Sequence, residues 1–149
     1  MQLWIREDIY KSSNLSVYGI AAYCAIRSLI TNEEITDVGF TLELLSYQLT
    51  GKLKSSRRFL EAIKIGLNEL IENKVIDLLE EYKKNYVVGC KKLFIADNNQ
   101  YFTIITFEEM RKIFQTENIN NFLLLRYFIF VISTISSKID IYLDPFQHK

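Results

Sequence analysis

The sequence predicts an α+β protein that is mainly helical. Three observations carry this expectation. Apolar residues recur every three to four positions over 17–30, 42–49, 56–73 and 107–114, and a dense apolar run follows. Short alternating or β-rich runs stand at 2–6, 75–79, 86–88 and 101–105. Just ahead of each periodic run lies a Ser or Thr, whose oxygen can accept a bond from an otherwise unpaired helix N–H.

The elements follow in order. Residues 2–6 alternate and read as a short strand. Ser16 caps the first helix, 17–30, with Tyr18, Ala21, Ala22, Ala25, Ile26 and Leu29 at helical spacing. Residues 31–40 read as a polar connection. Thr41 caps a second helix, 42–49, with Leu42, Leu44, Leu45 and Leu49, and Gly51 fits its stop. Ser55 or Ser56 then caps a third helix, 56–73, whose buried stripe is Phe59, Leu60, Ile63, Leu67, Leu70 and Ile71. Gly66 inside that helix costs about 1 kcal/mol against Ala, which marks it as a place of close helix packing.

Strands at 75–79 and 101–105 enclose further short runs at 86–88 and 93–95, with Asp97-Asn98-Asn99 as turn chemistry. They read as a hairpin or three-stranded element with a long basic turn. Thr106 caps a short helix, 107–114, and Asn118 or Asn120 opens a final apolar helix to residue 137. No internal repeat is visible. A helix, a tight helix-turn-helix and a β-hairpin make a winged helix-turn-helix, with additional C-terminal helices. The expected organisation is a winged-helix DNA-binding domain over 1–106 and a helical extension over 107–149 packed on it.

Composition excludes several function classes. A chain of 149 residues with 49% apolar and 24% charged residues has the make-up of one ordinary globular domain with a helical appendage. Two distant cysteines, Cys24 and Cys90, make neither a disulfide scaffold nor a zinc site. Cys24 falls on an apolar helix face. Cys90 stands beside Lys91 and Lys92, where positive charge favours a thiolate, although a plain small residue is the simpler reading. The single histidine, His148, is penultimate. The pairs Glu33-Glu34, Glu80-Glu81 and Glu108-Glu109 are adjacent and so diverge on a helix or strand. There is no phosphate-binding glycine loop and no dinucleotide fingerprint. The expectation is therefore no enzyme, no metal and no cofactor. The most apolar stretch, 122–135, contains Arg126 and falls short of the roughly 20 residues a membrane span needs. No membrane partner is expected, and the cytoplasm is the expected location.

Net charge is zero, so any nucleic-acid signal must lie in its distribution. Residues 52–64 carry Lys52, Lys54, Arg57, Arg58 and Lys64 against Glu61. Residues 83–92 carry Lys83, Lys84, Lys91 and Lys92 and no acid. Each segment has a net of plus four. They fall at the start of the third helix and in the wing, the two regions with which a winged helix touches DNA. Arg57, Glu61, Lys64 and Asn68 share one stripe of the helix, opposite the apolar one. Ser55, Ser56 and Arg58 stand at its N-terminus, where free N–H groups also bind phosphate. The lysines would neutralise phosphates. Arg57 and Arg58 suit guanine, while Asn68 or Gln48 suits adenine. Tyr82 and Tyr86 would lie against sugar or phosphate.

The final helix is apolar nearly all round. Phe122, Leu125, Ile129 and Ile132 cover one side, and Leu124, Phe128, Val131 and Ile135 another. One side packs on the core. The other meets a second copy in a homodimer, or is buried by a compact monomer. Phe122, Leu125, Phe128, Ile129 and Ile132 are the candidate interface.

The stretch TLELLSYQLTGKLKSSRRFLEAIKIGLNELIENKVI, from Thr41 to Ile76, resembles the N-terminal winged-helix domains of Gram-positive plasmid replication initiators and phage replisome organisers, including the DnaD-like group. LSVYGIAAYCAIRSLI resembles their opening helix, and FEEMRKIFQTENINNFLLLRYFIFVISTI the helical continuation of some members. The resemblance implies binding of double-stranded origin or operator DNA, often as a dimer, and contact with replisome proteins. It places Ser55–Arg58, Glu61 and Lys64 on the recognition helix and residues 83–86 on the wing. Such initiators usually continue into further domains, and a minimal winged helix needs no long apolar final helix. A transcriptional regulator would dock on DNA in the same way. A third reading is a protein-interaction module for a helicase loader, which Glu61 on the reading face favours.

Overall fold

The computed structural model describes residues 1–32, 34–90, 93 and 101–143, with the backbone alone for 136–143. It is a mixed α and β structure, mainly helical. The order is β1 (Gln2–Arg6), α1 (Glu7–Tyr10), α2 (Val17–Ser28), β2 (Asp37–Thr41), α3 (Leu42–Thr50), α4 (Arg57–Glu72), β3 (Asp77–Tyr82), β4 (Asn85–Gly89), β5 (Phe102–Thr106), α5 (Phe107–Gln115) and α6 (Asn121–Leu143).

Side-chain caps set the starts of α2 to α5. Ser16 accepts from the Tyr18 N–H, Thr41 from Leu44, Ser56 from Phe59 and Thr106 from Glu109. The Glu109 carboxylate returns a bond to the Thr106 N–H, closing a capping box. Gly51 ends α3 with φ +73, a left-handed conformation that favours glycine.

The core is built around α2, which packs against β1, α3, α4 and α6. Every residue from Gly19 to Ile26 is buried. α4 supplies Ile63, Leu67 and Leu70, all fully buried, and crosses α2 at Gly66. A Cβ at Gly66 would lie 2.1 Å from the Tyr18 carbonyl oxygen, so only glycine permits this approach. The crossing is also pinned by Glu69. Its carboxylate accepts from the Ser16 N–H and the Ser16 hydroxyl, both at 2.7 Å.

Two small antiparallel sheets flank the helices. One has the order β2-β4-β3 and the other pairs β1 with β5. The expected polar connection at 31–40 therefore contains a strand. Val38 and Phe40 alternate inward and pair with Val88 and Tyr86 of β4. The expected strand at 75–79 begins at Asp77 and runs on to Tyr82, with an irregularity between Leu78 and Glu80. The basic turn is not long: Tyr82 pairs with Asn85, leaving Lys83 and Lys84 as a two-residue loop. β5 does not join the hairpin, because Thr103 and Ile105 bury themselves against Ile5 and Leu3 of β1. Leu93 is buried, while the rest of the expected run at 93–95, the turn at 97–99 and His148 lie outside the described residues.

The structure shows an architectural repetition that the residues conceal. β2-α3-turn-α4 and β5-α5-turn-α6 share a five-residue strand, a nine-residue helix capped by the strand's last Thr, and a long second helix. The second unit is docked on the first. Arg111 of α5 donates to the Tyr47 and Gln48 carbonyls at 3.0 and 3.4 Å, and Gln115 donates to the Thr50 carbonyl at 3.1 Å. The Tyr47 carbonyl also accepts from the Gly51 N–H at 2.8 Å, whereas the Gln48 and Thr50 carbonyls are among those the end of α3 leaves without helical partners. Met110, Phe114, Leu125 and Ile129 enter the same hydrophobic core as α2 and α4. Among the described residues, no helix is long and apolar enough to cross a membrane.

Candidate nucleic-acid interface

The first candidate segment is the turn into α4. Lys52, Lys54, Ser56, Arg57 and Arg58 are exposed, and Ser55 is half-buried. The turn is held from beneath. The Ser55 and Ser46 hydroxyls are hydrogen-bonded, and Thr50 accepts from the Lys52 N–H at 3.1 Å. Ser56 spends its hydroxyl as the helix cap. Both serines thus shape the backbone, while the cations project from it.

Along α4, Arg57, Glu61, Lys64 and Asn68 are all exposed, opposite the buried Ile63, Leu67 and Leu70. Arg57 lies 3.4 Å from Glu61, one helical turn on, and its side chain is 94% exposed. A pair this open is held weakly and leaves the guanidinium available to a stronger anion.

The second segment is the β3–β4 hairpin. Lys83 and Lys84 form its tip with φ of 53° and 97°. Both residues of a two-residue hairpin loop take positive φ in the turn that suits strand twist, a place normally filled by Asn or Gly. Two lysines there are strained, which displays charge at the cost of local stability. The Lys83 ammonium sits 5.5 Å from the Tyr82 ring centroid, and Tyr82 is exposed.

Several sequence expectations are corrected here. Tyr86 is buried and stacks on Phe40 with centroids 6.0 Å apart, so its ring belongs to the core and not to a DNA contact. Burial raises its hydroxyl pKa first, and the nearby Glu81 and Glu43 carboxylates raise it further. Gln48 turns inward, its amide donating to the Ser28 hydroxyl at 3.1 Å, so it is not poised to read a base. Cys90 is buried and its thiol is pushed up to about 11 by burial and by Asp37, the opposite of a reactive thiolate. Leu125 and Ile129 are fully buried within the chain, so a second copy cannot reach them. Phe122 is held among Tyr18, Phe59 and Phe114, with ring centroids 5.0 to 5.2 Å away. Phe128 and Ile132 are half-buried at the α6 surface. Lys91 and Lys92 lie outside the described residues.

Arg111 is the residue that sequence reasoning missed. Its guanidinium lies over Phe107 and Tyr47, at 4.5 and 5.2 Å, and supports the end of α3 just ahead of the basic turn. The only local signal is its position one turn after Phe107 on an amphipathic helix. Among the described residues, no group of three His, Cys, Asp or Glu side chains could hold a metal ion.

The chain matches no family model, no curated protein and no solved structure.

Proposed function

We propose that the protein binds double-stranded DNA as a winged helix-turn-helix. In this reading α2, α3 and α4 are the three core helices, β2 is the strand between the first two, and β3–β4 is the wing. The observation that carries it is the β2-β4-β3 order around those helices. That order goes with exposed cations at both the α4 N-terminus and the hairpin tip. α4 enters the major groove, with Arg57 and Arg58 at base edges and Lys64 and Asn68 further along the Arg57 stripe. Lys52, Lys54, Lys83 and Lys84 neutralise phosphates and supply affinity without sequence information.

The resemblance to plasmid initiators and phage replisome organisers supports origin DNA as the target; an operator would be bound through the same residues. A homodimer would use the α6 surface that the core leaves open, around Phe128 and Ile132. Binding to duplexes from DNA flanking the gene, with Arg57→Ala/Arg58→Ala beside the wild type, tests the reading. The expected result is site-selective binding, with selectivity lost in the double variant. A folded protein that shows no binding to any duplex at low salt would overturn it in favour of a protein-interaction module.

A further inference from the structure

Beside the α4 N-terminus lies an open groove of about 530 Å³. It is lined by Tyr18 of α2, by Arg58, Phe59 and Ala62 of α4, and by Asn120 and Phe122 at the start of α6. Its volume falls within the range of small-molecule sites, and its lining combines aromatic walls with a few polar groups.

The wall is preformed. Tyr18 meets Phe122 edge-on at 5.0 Å, and Phe59 lies against Phe122 at 5.2 Å with the rings tilted by 36°. Phe114 backs Phe122 at 5.2 Å. These rings support one another, so a ligand has no collapse to reverse. The polar groups divide into used and unused. The Asn120 oxygen caps α6 through the Leu123 N–H at 3.2 Å, and Ser56 caps α4. Asn121 donates to the Ile113 and Thr116 carbonyls at 2.8 and 2.9 Å. Arg58 makes no ion pair among the described residues, although its guanidinium is an exposed, permanent cation. Ala62 stands one turn after Arg58, where a larger side chain would occupy the space between them.

We infer that this groove binds a small molecule made of a flat aromatic ring carrying an anionic group. The ring lies on the Tyr18, Phe59 and Phe122 wall, and the anion pairs with Arg58. A nucleotide and a simple aromatic acid both have this chemistry. Because Arg58 also belongs to the proposed DNA-reading surface, an occupant competes with DNA for it. That second, regulatory part rests on the proposed function; the binding part does not.

The test keeps the two apart. Binding is followed first without DNA, by heteronuclear NMR shifts of the full chain, with four probes: AMP, benzoate, adenosine and inorganic phosphate. The expected result is saturable shifts around Ala62 and Phe122 with AMP or benzoate, and at least about tenfold weaker binding of adenosine and phosphate. AMP alone would assign the source to nucleotides, and benzoate alone to aromatic acids. Equal binding of phosphate, or no shifts with either aromatic anion at about 5 mM, would overturn the inference. Ala62→Leu fills the groove while keeping the Arg58 charge, and should abolish the shifts while leaving DNA affinity unchanged. Arg58→Gln should weaken aromatic-anion binding about tenfold with the adenosine response unaltered. A folded Ala62→Leu protein that still binds the probe would also overturn it. The final arm is displacement of labelled duplex by the binding probe, which fails if the groove is real but uncoupled from DNA.

Discussion

Replacing Gly66 by Ala separates two physical accounts that disagree in sign. On helix propensity alone, Ala in the middle of α4 should stabilise the protein by about 1 kcal/mol. The structure argues the reverse. An added Cβ would stand 2.1 Å from the Tyr18 carbonyl oxygen, 2.5 Å from its carbon and 3.0 Å from the Gly19 nitrogen. All three atoms are backbone, so no rotamer change relieves the contact. The helices must part by about 1 Å, and at such a gap buried neighbours forfeit a quarter to a half of their contact attraction. The side chains affected are Ile63, Leu67 and Leu70, with the buried face of α2 beneath them. Overpacking of this kind costs about 1–3 kcal/mol, and a rigid backbone partner puts the site at the upper end. Net of the propensity gain, a loss of about 2 kcal/mol is expected, a large share of a typical domain's stability. Urea unfolding followed by far-UV circular dichroism measures it. Ile65→Ala, on the exposed side of the same helix, serves as the control and should change stability by less than about 1 kcal/mol. A Gly66→Ala protein as stable as wild type, or more so, would refute the account of the α2–α4 crossing.

Three further outcomes follow from the same geometry. Lys83→Asn/Lys84→Gly relieves two positive-φ residues and should raise stability by about 1–2 kcal/mol, while lowering the salt slope of DNA binding by about 2; unfolding and titration on one preparation check both. Arg111→Met keeps the packing of the stem but leaves the Gln48 carbonyl without its donor and the Tyr47 carbonyl with only the Gly51 N–H. It should cost about 1–3 kcal/mol in thermal unfolding. Burial pushes the Cys24 thiol up to about 12, so the fold holds the neutral form. Cys24 thus contributes stability fully below about pH 8.5, the ordinary thiol value, and that contribution is lost as pH rises towards 12. Cys24→Ala should flatten the loss of stability expected above about pH 8.5 in urea titrations.

What could be read from the residues was what local chemistry decides. Ser16, Thr41, Ser56 and Thr106 announce helix starts because a capping hydroxyl acts within three residues of itself. Gly51 and Gly66 were legible for the same reason: each glycine weakens a helix unless its backbone is needed there. β2 was not legible. Its inward pattern consists of Val38 and Phe40 alone, with Gly39 between them, and its pairing partner lies almost fifty residues away. Missing β2 also hid the burial of Tyr86, since the ring stacks on Phe40. The side of α6 that faces inward was equally undetermined, because a helix apolar all round carries no directional signal. At the candidate site, the exposed cations follow from periodicity. The strained lysine turn and the Arg111 support do not, since both depend on strand register and on α5 docking against α3.

The most direct test of the central claim is the salt dependence of binding to a random-sequence duplex. If Lys52, Lys54, Lys83 and Lys84 each meet a phosphate, log K should fall against log salt with a slope of about −3 to −4. Lys83→Ala/Lys84→Ala should reduce that slope by about 2 and weaken all sequences alike. A slope shallower than about −1, or no binding at about 50 mM salt by a folded protein, would contradict the assignment of these two segments to DNA.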